Sequence, residues 1–155
     1  MCASRICETP IQDEYAADYS HCYGCGRDNA DGHHLKTYLI GAETLSRFTP
    51  DAKYSGGVPG NVYGGMIASL FDCHGTASAA AFHRQDSSDE QPTLARFVTA
   101  SLVVNFIAPT PQFQELTIRG VLKSIEGRKV RVEMTLEAEG LVRANAEMLA
   151  IALRR

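Results

Sequence analysis

One stretch of the chain carries a helical period, and it limits what the rest can build. From Gly65 to His83, the residues Ile67, Leu70, Phe71, His74, Ala77, Ala81 and Phe82 recur every three or four positions, an apolar stripe along one helix face. A second stripe holds small residues around one carboxylate: Gly65, Ala68, Ser69, Asp72, Gly75, Thr76 and Ala79. Side chains that small let another backbone or a ligand come close. Downstream the period changes to two. Thr99–Ala108, Glu115–Ser124, Arg128–Glu139 and Leu141–Leu153 read as strands, the last three joined by turns at Glu126–Gly127 and Glu139–Gly140. In Arg128–Glu139, Val130, Val132, Met134, Leu136 and Ala138 share one face, while Arg131, Glu133, Thr135, Glu137 and Glu139 share the other. That alternation belongs to an antiparallel sheet with one wet face. Two short strands precede the helix, around Leu35–Ile40 and Leu45–Thr49, after a turn-rich stretch at residues 22–34. One long helix with five or six antiparallel strands predicts an α+β fold, a curved sheet wrapped around a central helix.

At 155 residues this is a single domain, 1–155, with residues 1–20 as an N-terminal arm or short helix. A 45% hydrophobic content excludes wholesale disorder. Fifteen basic against eighteen acidic side chains give a formal net charge of −3, without the basic patch of a nucleic-acid binder. No apolar run nears the ~20 residues that span a bilayer, so no membrane partner is expected. The opening MCASRICETP has no apolar leader core, and five cysteines without framework spacing point to a reducing cytoplasm.

The strongest chemical signal is the run Gly57–Gly65 (GVPGNVYGG) at the helix start, followed by Asp72. Glycines there leave backbone N–H groups pointing outward, where the helix dipole favours negative charge and an oxyanion is stabilised. Asp72 supplies a carboxylate for general-base or nucleophilic work. Eight residues separate Gly64 from Asp72, about 12 Å along a helix axis, too far for both to engage one carbonyl. If both act, a second subunit supplies one of them across a symmetric interface.

The run GGVPGNVYGGMIASLFDCHGTASAA resembles the HGG-x6-D signature of hotdog-fold acyl-CoA thioesterases, in the branch with the PaaI-like and Them-like enzymes. CYGCGRDNADGHHL is similar to the opening of that branch, TASLVVNFIAPTP to its central strand, and EGRKVRVEMTLEAEGLVRANAEMLAI to its closing hairpin. The four blocks occur in order over residues 20–153. The resemblance implies a hotdog-fold homodimer, or a dimer of dimers, that hydrolyses an acyl-CoA to free CoA and a carboxylic acid. It implies Asp72 as the catalytic carboxylate, Gly64 as the amide that binds the thioester oxygen, and Thr99 as the residue that positions water. Tyr63 stands where the family carries a His. Asn61, Tyr63 and Gly65 are the expected substrate contacts at the glycine turn. Met66 and Phe71 are expected along the acyl group, and Arg128 and Lys129 at the CoA phosphates. No metal or redox cofactor is implied.

His21, Cys22, Cys25, His33 and His34 have a superficial zinc spacing, but there is no second CxxC, and the family opening makes this a structural turn. Cys73 reads as inert packing and His74 as a satisfied core histidine. Two other functions compete on the same fold: a non-catalytic acyl-CoA-binding sensor, and an enoyl hydratase or dehydratase.

Overall fold

The computed structural model describes residues 9–154; the first eight residues of the expected arm, with Cys2 and Cys7, lie outside them. The rest of that arm forms two 3-10 turns, Ile11–Glu14 and Ala17–Tyr19. Strands β1 (Thr37–Ile40) and β2 (Glu43–Phe48) precede the helix α1 (Gly64–Asp86). Strands β3 (Phe97–Phe106), β4 (Leu116–Glu126), β5 (Lys129–Ala138) and β6 (Leu141–Ala152) follow it. All six make one antiparallel sheet in the order β1-β2-β4-β5-β6-β3, so β3 returns across the chain to pair with β6 and form an edge.

The inward faces of β4, β5 and β6 close on α1: Ile118, Val130, Val132, Leu136, Ala144 and Met148 meet Met66, Leu70 and Phe71, all fully or almost fully buried. Each of the larger side chains contributes roughly 1.5–3 kcal/mol through burial. The helix is less one-sided than its sequence stripe. From Cys73 to Phe82 every residue is buried, whereas Gly65, Ala68, Ser69 and Asp72 in the first turns keep some exposure. The small-residue stripe is therefore covered at its C-terminal end and open at its N-terminal end.

A polar chain crosses this core, and its proton order can be worked out. Ser78 Oγ donates to the His74 carbonyl (2.6 Å), so Thr44 Oγ1 must donate to Ser78 Oγ (2.6 Å). Thr44 Oγ1 is then free to accept from His74 Nε2–H (3.0 Å), and Ser46 Oγ donates to His74 Nδ1 (2.7 Å). Thr37 Oγ1 in turn donates to Ser46 (2.9 Å) and accepts from Gln12 Nε2 (2.8 Å). Every group is satisfied with a neutral, Nε2-protonated His74, and burial lowers its pKa to about 3. The unfolded imidazole binds a proton near pH 6.5 and the folded one does not, so the contribution is intact above about pH 6.5. It falls by about 1.4 kcal/mol per unit as the pH drops from there toward 3. Urea unfolding across that range, read beside the imidazole nitrogen shifts, checks this. A His74 that gains its proton near pH 6 with no loss of stability would break the account.

Candidate active site

The helix start is built to leave two amides free. Tyr63, extended at φ −69° and ψ 147°, is the N-cap but makes no side-chain cap. Its carbonyl accepts from both Met66 N–H (3.1 Å) and Ile67 N–H (3.4 Å). Gly64 and Gly65 N–H find no acceptor among the described residues, and both glycines are exposed. Glycine keeps both positions open. A Cβ on Gly65 would overlap the Tyr63 ring, and one on Gly64 would lie 3.3 Å from the Phe106 ring. An open groove of about 440 Å³ runs beside Gly64, lined by Asn61, Ile67, Phe106, Ile107 and Pro109. Phe106 and Ile107 are more than half exposed, a large apolar surface beside two unpaired donors.

Tyr63 covers Gly65 with its ring, while its side chain stays 43% exposed and its hydroxyl has no hydrogen-bond partner among the described residues. Tyr63→Phe is therefore expected to leave the thermal midpoint unchanged, within the ±0.5 kcal/mol usual for surface changes. A loss of 1 kcal/mol or more in a melt, the size of one hydrogen bond, would show that the hydroxyl is bonded after all.

Asp72 sits two turns further along, half-buried, and its Oδ1 accepts a hydrogen bond from Thr99 Oγ1. Thr99 is placed by an irregularity in β3: the pairing with β6 shifts between Thr99 and Ser101, leaving Ala100 as a bulge. Bulges re-aim side chains in this way. Thr76 Oγ1, one turn on, donates to the Asp72 carbonyl (3.2 Å). The structure thus brings Asp72 and Thr99 together and leaves the Gly64 amide about 12 Å away along α1. Each chain keeps these two groups apart.

Other expected contacts fall elsewhere. Met66 and Phe71 have no exposed surface and pack in the core of the chain. The apolar surface beside Gly64 comes instead from Phe106 and Ile107, whose positions read in sequence only as the end of a strand. Arg128 and Lys129 are exposed in the β4–β5 turn, where Arg128 donates to the Ala152 carbonyl (2.8 Å). Ala152 pairs with Phe97, and Gly64 packs on Phe106, so this turn and Gly64 lie at opposite ends of β3.

His33 and His34 bond to other partners than the cysteines. His33 Nδ1 bonds the Tyr54 hydroxyl (2.7 Å) and His34 Nε2 the Asn29 carbonyl (2.5 Å). Cys73 is buried against two other cysteines: its sulfur lies 3.8 Å from that of Cys22, and Cys25 joins them. Hydrogen bonds from the other two thiols hold Cys22 far below the usual thiol range, while the bond to Cys22, with burial, pushes Cys25 up to about 12. A hollow of about 690 Å³ on the outer sheet face is a poor site. Its Arg119, Arg131, Glu43, Glu133 and Glu147 already pair with neighbouring charges at 2.7–3.9 Å.

Residues 59–144 match the family model of the thioesterase superfamily. No curated protein matches the chain. A thioesterase superfamily protein from Shewanella loihica is 40% identical, with TM-score 0.68, covering 88% of this chain and 97% of that one. The E. coli PaaI protein of the phenylacetic acid degradation operon is 11% identical, with TM-score 0.64, over 79% of this chain and 81% of that one. The protein smu.793 from Streptococcus mutans, solved bound to acetyl CoA, is 14% identical, with TM-score 0.64, over 78% and 90%. The last two share the fold alone. None of the helices among the described residues is long and apolar enough to cross a membrane. With one sheet wrapped around one helix, and with its family match and its Shewanella relative, the chain belongs to the hotdog-fold thioesterase superfamily.

Proposed function

We propose that this protein hydrolyses acyl-CoA thioesters, with each active site shared between two copies of the chain. The observation that carries the reading is the pairing of two half-sites on one helix: unpaired Gly64 and Gly65 amides, and an Asp72 oriented by Thr99. Edge strand β3 supplies the means to unite them. It is ten residues long and exposes Val98, Val103 and Phe106, an apolar edge with unpaired backbone groups. Antiparallel pairing with β3 of a second copy, about a two-fold axis near Leu102 and Val103, sets the Thr99 end of one chain beside the Phe106 end of the other. The Arg128–Lys129 turn of the second copy then arrives at this Gly64, where the CoA phosphates would lie.

In the united site the Gly64 amide donates to the thioester carbonyl and holds the oxyanion as it forms. Thr99 keeps Asp72 oriented through Oδ1, leaving the other carboxylate oxygen for the reaction. Asp72 takes a proton from water, the hydroxide adds to the carbonyl carbon, and the C–S bond breaks as the oxyanion collapses. The CoA thiolate takes the proton back. In the nucleophilic variant Asp72 adds directly, and water cleaves the resulting anhydride. A thiol is a good leaving group, with a pKa near ~8.5, so little acid assistance is needed.

The test is free CoA release from a panel of short, long and aromatic acyl-CoAs, followed with a thiol reagent. Release supports the hydrolase. Saturable binding without release would make the protein a sensor, and loss of enoyl absorbance without release would make it a hydratase.

A further inference from the structure

Beside the half-site at Asp72, three cysteines converge from two distant parts of the chain. Cys22 and Cys25 come from the turn before β1 and Cys73 from α1, with all three sulfurs within 4.8 Å of one another. The Cys22–Cys73 separation is 3.8 Å. That is the edge of a tetrahedron whose centre lies ~2.3 Å from each sulfur, the Zn–S bond length, and nearly twice a disulfide bond.

The turn is shaped for this approach. Gly26 N–H closes it on the Cys22 carbonyl at 2.7 Å, and a Cβ on Gly26 would strike the Cys22 backbone. A Cβ on Gly24 would overlap the Cys73 sulfur itself, so the turn can press onto α1 only with glycine there. The C-x2-C spacing followed by Gly is that of a metal-binding turn, and Cys73 supplies the third ligand. Charge also balances. Three thiolates around a divalent ion leave one negative charge, and the Arg96 guanidinium, stacked 4.6 Å over the Tyr15 ring, acts on Cys25 with a buried Nη1 that has no hydrogen-bond partner.

We propose that Cys22, Cys25 and Cys73 bind one thiophilic divalent cation of the zinc class, with a water as fourth ligand, pinning the 22–25 turn to the helix that carries Asp72. Binding releases to solvent the thiol protons that the cluster still holds and oxidises nothing. Cys22 is the half-exposed member, and it gives the ion its access.

The whole chain, reduced and kept anaerobic, is titrated with Co²⁺ and then Zn²⁺. Uptake of one Co²⁺ per chain, with sulfur-to-cobalt charge-transfer bands that Zn²⁺ abolishes, is the expected result. Cys22→Ser and Cys73→Ser should each weaken binding at least 100-fold. A folded, fully reduced wild-type chain that takes up neither ion overturns the proposal, whatever the variants do. Equal uptake by a folded Cys73→Ser variant overturns it as well. Neither result touches the thioesterase reading, which CoA release tests separately.

Discussion

Asp72→Asn should lower kcat for acyl-CoA hydrolysis by about 10²–10⁴-fold, the range that loss of a general base produces. Asparagine is the informative substitution here. Its side-chain oxygen can still accept from Thr99 Oγ1, so the one hydrogen bond that fixes Asp72 survives while the basic oxygen is lost. Asp72 is only half-buried, so the exchange leaves the core around Phe71 and His74 untouched. Substrate affinity should change little, because the groove beside Gly64 is on the other half-site. Stopped-time CoA release at saturating substrate, with a melting curve for the same sample, separates chemistry from folding. A folded Asp72→Asn protein with near-wild-type kcat would falsify the proposed role.

What the sequence made legible follows from periodicity. The helix and all six strands lie within a few residues of where apolar spacing put them, because one period of 3.6 and one of two leave little choice once a sheet must cover a helix. The Asp72–Thr99 pair was reached through the family resemblance, and the geometry brings the two side chains together. What periodicity could not show are contacts between residues far apart in the chain. His74 read as a core histidine, but its partners Thr44 and Ser46 are hydroxyls that any strand carries, and only the fold sets them against the ring. Cys73 read as packing for the same reason, since nothing near it in sequence names Cys22 and Cys25 as neighbours. Met66 and Phe71 are ambiguous for another reason. Large apolar side chains beside a glycine turn suit a ligand pocket and a core equally, and here they went to the core. The exposed apolar groups at the groove are Phe106 and Ile107, past the bulge of an edge strand whose inner and outer faces the alternation did not separate.

Activity restored by mixing two dead variants is the second large effect, and it follows from the 12 Å between the half-sites on one helix. Gly64→Pro is the second variant. Proline at the first helical position removes the N–H with little cost to the helix. It also needs the preceding residue extended, which Tyr63 already is. Its Cβ comes to 3.3 Å from the Phe106 ring, an exposed side chain able to give by a few tenths of an ångström. Homodimers of Gly64→Pro lack the oxyanion donor at both sites, and homodimers of Asp72→Ala lack the carboxylate at both. In a heterodimer one site receives both defects and the other receives neither. Equal mixing with free exchange makes about half the dimers mixed, so activity should rise from near zero to roughly a quarter of wild type, one intact site in half the molecules. Subunit exchange is checked by mass on differently tagged chains before the rates are compared. If exchange is complete and no CoA is released, Gly64 and Asp72 do not serve one site across a two-fold axis. A chain that is monomeric by light scattering and fully active at assay concentration would dispose of the shared site outright.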